Sequence, residues 1–392
     1  VRIAQAVFGV FHHFELAREM ERRGHLELVY STWPWARLKR EGLAHEKVET
    51  YPWIHVLEYA AGRSPVPAPW LTDELGYLNA LSFDQWTLRK LQKRTRRTGR
   101  VDALIGLAGS CLSTGTWLQS EGGKFVCDRG STHQRYQEQI VSEEYRRWGV
   151  EIPVSDIRDT LREEEIYAMA DAITVPSHFA GRTYVEMGIP AEKIKVIPYG
   201  VRLEAFQPTE MAPEGAFDVL FAGAVGLRKG VPCLLEAFAA LKHPQKRLRV
   251  VGYPQQDMRD VWAKLPKEHV EILGPVSQAE LARLMSCSHV MVLPSIEEGL
   301  ALVQAQAMAC GCPVIASTNT GSEDLYTEGV EGFIVSVNDV PAVTDRMQAL
   351  ADDPALRERM REAGLRRVQT IGGWTQYGAG WEAMLRELTG AE

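Results

Sequence analysis

The chain has 392 residues, enough for two domains of about 150–200 residues each, and its 45% hydrophobic and 24% charged residues exclude a predominantly disordered protein. A net charge of −7 excludes general nucleic-acid binding, and no apolar run approaches the roughly 20 residues of a spanning helix. Cys111, Cys127, Cys233, Cys287, Cys310 and Cys312 form no CxxC pair or zinc spacing and read as reduced core thiols of a cytoplasmic protein.

Taken in chain order, the N-terminal stretch Val1–Phe8 lacks the basic start and small-residue cleavage site of a signal peptide and reads as a first strand. Short β-rich runs then alternate with helix-length amphipathic segments. Strands are expected at 2–8, 26–31, 102–108, 124–128, 172–176 and 194–198. Residues 32–75 carry several prolines and read as long loops. Residues 89–100 hold seven basic side chains and no acidic one, at the end of an amphipathic helix. They fit either a solvated helix end or a contact with anionic lipid.

A Pro- and Gly-rich segment at 200–216 separates a second series of strands, at 217–223, 247–252, 270–274, 289–294, 313–317 and 332–336. Residues 1–200 are balanced, with 26 basic and 26 acidic residues, so the whole −7 lies in 201–392, with 18 and 25. A last helix at 373–390 is expected to cross back to the first half. All-apolar strands alternating with helices predict an α/β architecture of two Rossmann-like domains. The expected division is 1–205, joined by the C-terminal helix 373–392, and 206–372. Parallel sheets bind ligands at the carboxyl ends of their strands, so the loops there are where chemistry is expected.

Two such loops stand out. In 294–311 a strand is followed by Glu297-Glu298-Gly299 and then a helix with Gln306 eight residues after Glu298. Unpaired amides at 299–303 and the helix dipole suit a phosphate or diphosphate. In 223–230 a glycine-flanked Arg228-Lys229 pair stands at another strand end, suited to diphosphate oxygens or simply to solvent.

With VPSHFAGRTYVEMGIPAEKIKVIPYGVRLEAFQP at 175–208, these segments resemble the retaining glycosyltransferases of family 4, which have the GT-B fold of two Rossmann-like domains facing across a cleft. The resemblance covers about residues 165–370 and extends loosely to the front through ELAREMERRGH at 15–25. It implies a cytoplasmic enzyme that moves a sugar from a UDP- or GDP-linked donor to a glycan, lipid-linked or small-molecule acceptor with retention. It implies no cofactor and no metal. Membrane contact, if any, is peripheral, at the inner face through 89–100.

By the same resemblance Lys229 contacts the donor diphosphate and Glu298 the donor sugar. Gly299, Leu300 and Ala301 offer backbone amides, and Gly9 lies in the glycine-containing loop near the reacting centre. Gln306 replaces the second Glu of the E-x7-E motif, and Ala224 replaces an Arg whose charge Arg228 would supply. The family His at the end of a middle strand of the first domain is replaced by the loop Asp128-Arg129-Gly130-Ser131-Thr132-His133, where Arg129 and His133 are the catalytic candidates. His133 fits a helix start equally well. His12-His13 is a weak metal signal that also fits a loop packing on itself. Trp33-Pro34-Trp35 and the loop 64–70 are candidates for the acceptor site. A catalytically silent nucleotide-sugar-binding protein of the same fold, or another sugar-nucleotide enzyme such as an epimerase, is the alternative function.

Overall fold

A computed structural model describes residues 1–63, 68–152 and 156–391. Its two parallel sheets follow the two series of apolar runs. The first sheet contains β1 (Ile3–Val7), β2 (Leu26–Ser31), β3 (Val48–Thr50), β4 (Ala103–Leu107), β5 (Lys124–Asp128), β6 (Ala172–Val175) and β7 (Ile194–Val196), in the order β3-β2-β1-β4-β5-β6-β7. The second contains β8 (Phe217–Ala222), β9 (Lys246–Val251), β10 (Val270–Gly274), β11 (Val290–Leu293), β12 (Val314–Ser317) and β13 (Gly332–Val335), in the order β10-β9-β8-β11-β12-β13.

The central strands are largely apolar and buried because both faces of each sheet are covered. In β1, Ile3 and Val7 join the core under the helix Phe11–Arg22, while Ala4 and Ala6 join the opposite core with Phe83 and Leu118. Both sheets reverse direction at one point, between β1 and β4 and between β8 and β11. The crevices at these reversals are where a doubly wound sheet binds ligands.

Residues 32–75 differ from the loops expected there. The described part holds the short helix Trp35–Leu38, β3, the helix Trp53–Ala61 and the start of the 30-residue helix Pro69–Thr98. The prolines do not break these helices. Pro52 is the N-cap of one and Pro69 sits in the first turn of the next, where the missing N–H costs nothing.

The helix Trp374–Thr389 packs on Phe11–Arg22 of the first lobe. Trp381 is fully buried, and Glu382 accepts from Arg23 at 2.6 Å and pairs with His25 at 2.8 Å. The linker passes so close beneath this helix that a Cβ at Gly200 would overlap the backbone of Gly373 and Trp374. Gly200→Ala is therefore expected to cost about 2–3 kcal/mol, as overpacking against backbone does. Scanning calorimetry checks this, and an unchanged melting temperature would show that the linker is free to shift.

Candidate active site

Two loops of the second lobe are zipped together at the β8/β11 reversal. After β8 the chain makes a tight turn, Leu227–Lys229. Its start is held by Asp257, whose Oδ2 accepts from the Leu227 amide at 3.0 Å. The Arg228 carbonyl accepts from the Ile296 amide at 2.8 Å. Gly230, at φ +65°, lies against the Pro294 carbonyl, where a Cβ would collide. This seam sets Lys229 against Glu298, and the two form an ion pair in which Ser295 also donates to the carboxylate at 3.2 Å. Burial, then the adjacent Arg228 cation, pushes the Lys229 ammonium down to about 7, with Glu297 opposing them.

Glu297 points the other way. It is fully buried and binds the first lobe: Oε1 accepts from Ser131 Oγ at 2.7 Å and Thr132 Oγ1 at 2.8 Å, and Oε2 from Gln137 Nε2 at 2.8 Å. Burial favours its neutral form, but Ser131, Arg228, Thr132 and Gln137 outweigh that and hold it ionised. Arg228 donates to the Glu297 carbonyl at 2.7 Å and to its Oε2 at 3.2 Å. Its guanidinium thus braces the lobe contact. Ala224 is exposed.

The helix expected to open at 299–303 begins at Val303, and two of the amides before it are already used. The Glu298 amide donates to the Asn319 carbonyl at 2.9 Å and the Ala301 amide to the Thr320 carbonyl at 3.1 Å. Among the described residues the amides of Gly299 and Leu300 meet no acceptor. Gly299 packs on Gly130 of the first lobe so closely that a Cβ there would collide with the Gly130 carbonyl, and its own carbonyl accepts from Ser177 Oγ at 2.6 Å. Gln306 is half-buried on the short helix Val303–Ala309.

In the first lobe Gly9 follows β1 at its reversal point. A Cβ there would meet only the edge of the His13 ring, at 3.8 Å, so packing within the chain does not require the glycine. Asp128 ends β5 and gathers three partners. Its Oδ2 meets His12 Nε2 at 3.0 Å and His13 Nδ1 at 3.1 Å, and its Oδ1 accepts from Thr174 Oγ1 at 2.9 Å. Burial works against its charge, but the two imidazoles hold the carboxyl well below the usual range. Burial, then His12, pushes His13 down to about 4. The ligand atoms of His12, His13 and Asp128 lie within 4.8 Å of one another. Hydrogen bonds account for that approach, because one carboxylate oxygen serves both rings.

Two candidates are held by partners within the first lobe. His133 caps the helix Gln134–Trp148, accepting from the Arg135 amide at 3.2 Å, and its ring packs on Tyr167 and Tyr184. Burial lowers it to about 4, and only 2% of it is exposed. Arg129 pairs with Glu163 at 3.1 Å and donates to Gln134 at 2.7 Å, which anchors the same helix. Trp33 packs on His55 and Tyr59, and Trp35 on His45, so both indoles pack within the 32–75 segment. Residues 64–67 of the second acceptor candidate lie outside the described residues.

Sequence reasoning missed Glu297 and Asp257. The first was hidden by its neighbour Glu298. The second lies in a short turn, Gln256–Met258, with no motif around it. All six cysteines are buried and unpaired.

Comparison with known proteins adds to this geometry. The family described as Glycosyltransferase Family 4 matches residues 10–205, half of the chain, and that described as Glycosyl transferases group 1 matches residues 204–367. A D-inositol 3-phosphate glycosyltransferase 1 from Catenulispora acidiphila is 30% identical over 237 residues, covering 55% of this chain and 56% of that protein. The chain spans about half the length of the curated relatives it matches. Among solved structures, sucrose-phosphate synthase from Thermosynechococcus elongatus superposes with a TM-score of 0.73 at 21% identity over 100% of both chains. Anabaena HepE in complex with UDP-glucose gives 0.67 at 16% identity, over 98% of this chain and 99% of that one. These two show the shared arrangement of two Rossmann-like lobes, the GT-B fold.

Proposed function

Because the chain belongs to Glycosyltransferase Family 4, we propose that it transfers a sugar from a nucleoside diphosphate sugar, UDP- or GDP-linked, to an acceptor hydroxyl with retention of anomeric configuration. The observation that carries this is the pairing of Lys229 with Glu298 at the β8/β11 reversal, next in sequence to the Gly299 and Leu300 amides, which meet no acceptor among the described residues. The donor diphosphate takes Lys229 from Glu298. As the bond from the anomeric carbon to the phosphate oxygen breaks, the acceptor oxygen bonds to that carbon on the same face and its proton passes to the departing phosphate oxygen, while Lys229 and the two amides stabilise the negative charge that grows on the diphosphate. Glu298, released from its cation, accepts from the sugar hydroxyls and fixes the anomeric carbon toward the first lobe. Gly9 leaves room for the donor to approach the backbone after β1. Gln306 keeps one acceptor oxygen for the ribose. The diphosphate charge falls on protein groups, so the step as proposed calls on no cofactor or metal.

A second reading has one observation in its favour. Both cations are already matched by carboxylates and the lobes touch at Gly130 and Gly299, as in a protein that binds a nucleotide sugar without turning it over. Incubation with a panel of UDP- and GDP-sugars and acceptors separates the two. Release of nucleoside diphosphate coupled to a glycosylated product supports transfer. Tight nucleotide binding without release under every acceptor supports the silent binder.

The ionisation of Lys229 makes the donor site pH-dependent. Only the ammonium attracts a diphosphate, and in the free protein half of it is lost at about pH 7. Affinity for UDP or GDP is therefore expected to be full below neutrality and to fall with rising pH, by about tenfold per unit once well above pH 7. Titration calorimetry from pH 6 to 9 measures it, and a flat profile would remove Lys229 from the site.

No helix among the described residues is long and apolar enough to cross a membrane. A cytoplasmic location with peripheral contact at a membrane face is part of this reading, supported by the basic run 89–100.

A further inference from the structure

The helix Trp53–Ala61 is amphipathic the wrong way round. Its polar residues face the protein: the His55 ring packs on Trp33 at 4.6 Å, and Glu58 accepts from Asn79 Nδ2 at 3.0 Å. Trp53, Val56, Leu57 and Ala60, at the i, i+3, i+4, i+7 spacing of one helical face, are all exposed, with Trp53 73% and Leu57 58% open. No residue of this helix is buried. The first turns of the neighbouring helix Pro69–Thr98 continue the pattern with Trp70, 72% open, Leu71 and Leu78. A soluble surface seldom gathers so many large apolar side chains without an occupant.

The long helix says what the occupant is. Leu71, Leu78, Gln85, Arg89 and Arg96 are spaced by seven, seven, four and seven residues, so they form one stripe along one exposed face, apolar at one end and cationic at the other. Lys90 and Arg94 are neutralised by Glu49 and Glu27. Arg89, Lys93, Arg96 and Arg97 are exposed, and none of them forms an ion pair among the described residues. Tryptophans beside aliphatic side chains, followed by unmatched cations, fit the boundary between acyl chains and anionic headgroups. A second copy of the chain fits less well, because a stripe that runs from apolar to cationic does not match itself when two helices lie antiparallel about a two-fold axis.

We propose that this helix pair seats the first lobe on an anionic lipid bilayer, with Trp53, Leu57, Trp70 and Leu71 in the interface and Arg89, Lys93, Arg96 and Arg97 on the headgroups. Trp33, which carries the first helix, follows β2 at the carboxyl edge of the first sheet. The apolar end of the seat therefore lies on the same edge as the cleft, where an acceptor held by the bilayer would arrive, while the cationic end runs to the opposite edge, where Arg2 ahead of β1 donates to the Thr98 carbonyl at 3.0 Å. The inference deepens the reading above and rests on it only for that acceptor. Docking itself does not involve the donor site, so the two can fail separately.

The test is flotation of the full chain with vesicles of phosphatidylcholine alone and of phosphatidylcholine with about a third phosphatidylglycerol, together with tryptophan emission. Flotation with the anionic vesicles and a blue shift are expected. The double variant Trp53→Ser/Leu57→Ser should lower partition by at least about thirtyfold. Arg89→Gln/Arg96→Gln should lower it by about tenfold or more, on anionic vesicles only. Raising salt toward 1 M should act like the second variant, since screening shortens to about 3 Å. Unchanged binding of UDP or GDP in both variants reports an intact fold. Two results would overturn the proposal: no flotation with either lipid, or self-association of the unaltered chain that Trp53→Ser/Leu57→Ser abolishes, which makes this face a contact between copies.

Discussion

Lys229→Ala is expected to lower kcat/KM for sugar transfer by about 10²–10³-fold, equivalent to about 3–4 kcal/mol. Loss of a charge-assisted hydrogen bond to the diphosphate accounts for about 1.5–3 kcal/mol. The remainder comes from Glu298, left as an unmatched carboxylate beside the incoming anion. Lys229 is 17% exposed at its side chain, so solvent screens little of this. The partner variant sharpens the result. If Glu298 is the orphan that repels the donor, Lys229→Ala/Glu298→Ala should lose less than the two single changes added together, by about 1–3 kcal/mol. Steady-state kinetics of the four proteins complete the cycle. A Lys229→Ala protein within fivefold of the parent would remove this lysine from the donor site and the transfer mechanism with it.

Glu297→Ala is expected to open the molecule. The buried carboxylate holds Ser131, Thr132 and Gln137 of the first lobe and Arg228 of the second. Removing it strands polar groups on both sides, at a cost of about 3–5 kcal/mol to the closed arrangement. The expected signature is a larger radius of gyration by small-angle scattering and a turnover loss of at least about a hundredfold. UDP or GDP affinity should fall modestly near neutral pH, because Glu297 is one of the charges that keep Lys229 protonated. Glu297→Gln keeps the acceptor for the two hydroxyls and should fall between. The linkage sign is fixed: a carboxyl held ionised in the fold stabilises above its ordinary range and loses that contribution as pH falls through its lowered value. Acid should therefore loosen the parent in the direction of the variant. An unchanged radius and full activity in Glu297→Ala would show that other contacts close the cleft.

Glu297 and Glu298 are neighbours in the chain, and they show where sequence reasoning runs out. The acidic pair at a strand end was legible, and so was Lys229 at another. Nothing local says that Glu298 turns to the cation and Glu297 to the opposite lobe. That choice belongs to Ser131, Thr132 and Gln137, more than 150 residues away. Arg228 was read as a spare charge for the donor, and the same distant contact claims it. The resemblance makes His133 and Arg129 catalytic candidates, and nothing local reports that they meet Tyr167, Tyr184 and Glu163 within the first lobe.

The architecture itself was written locally. Short apolar runs without alternation, each followed by a turn and an amphipathic helix, can only be strands covered on both faces, and two series of them make two doubly wound sheets. Turn residues and strand ends likewise mark where a ligand can lie. Tertiary packing decided which way a loop side chain points, which amides remain free beside Gly299, and that the helix Trp53–Ala61 wears its apolar face outward. Periodicity reports that a helix has two unlike faces, while only the neighbours it meets determine which face is turned inward.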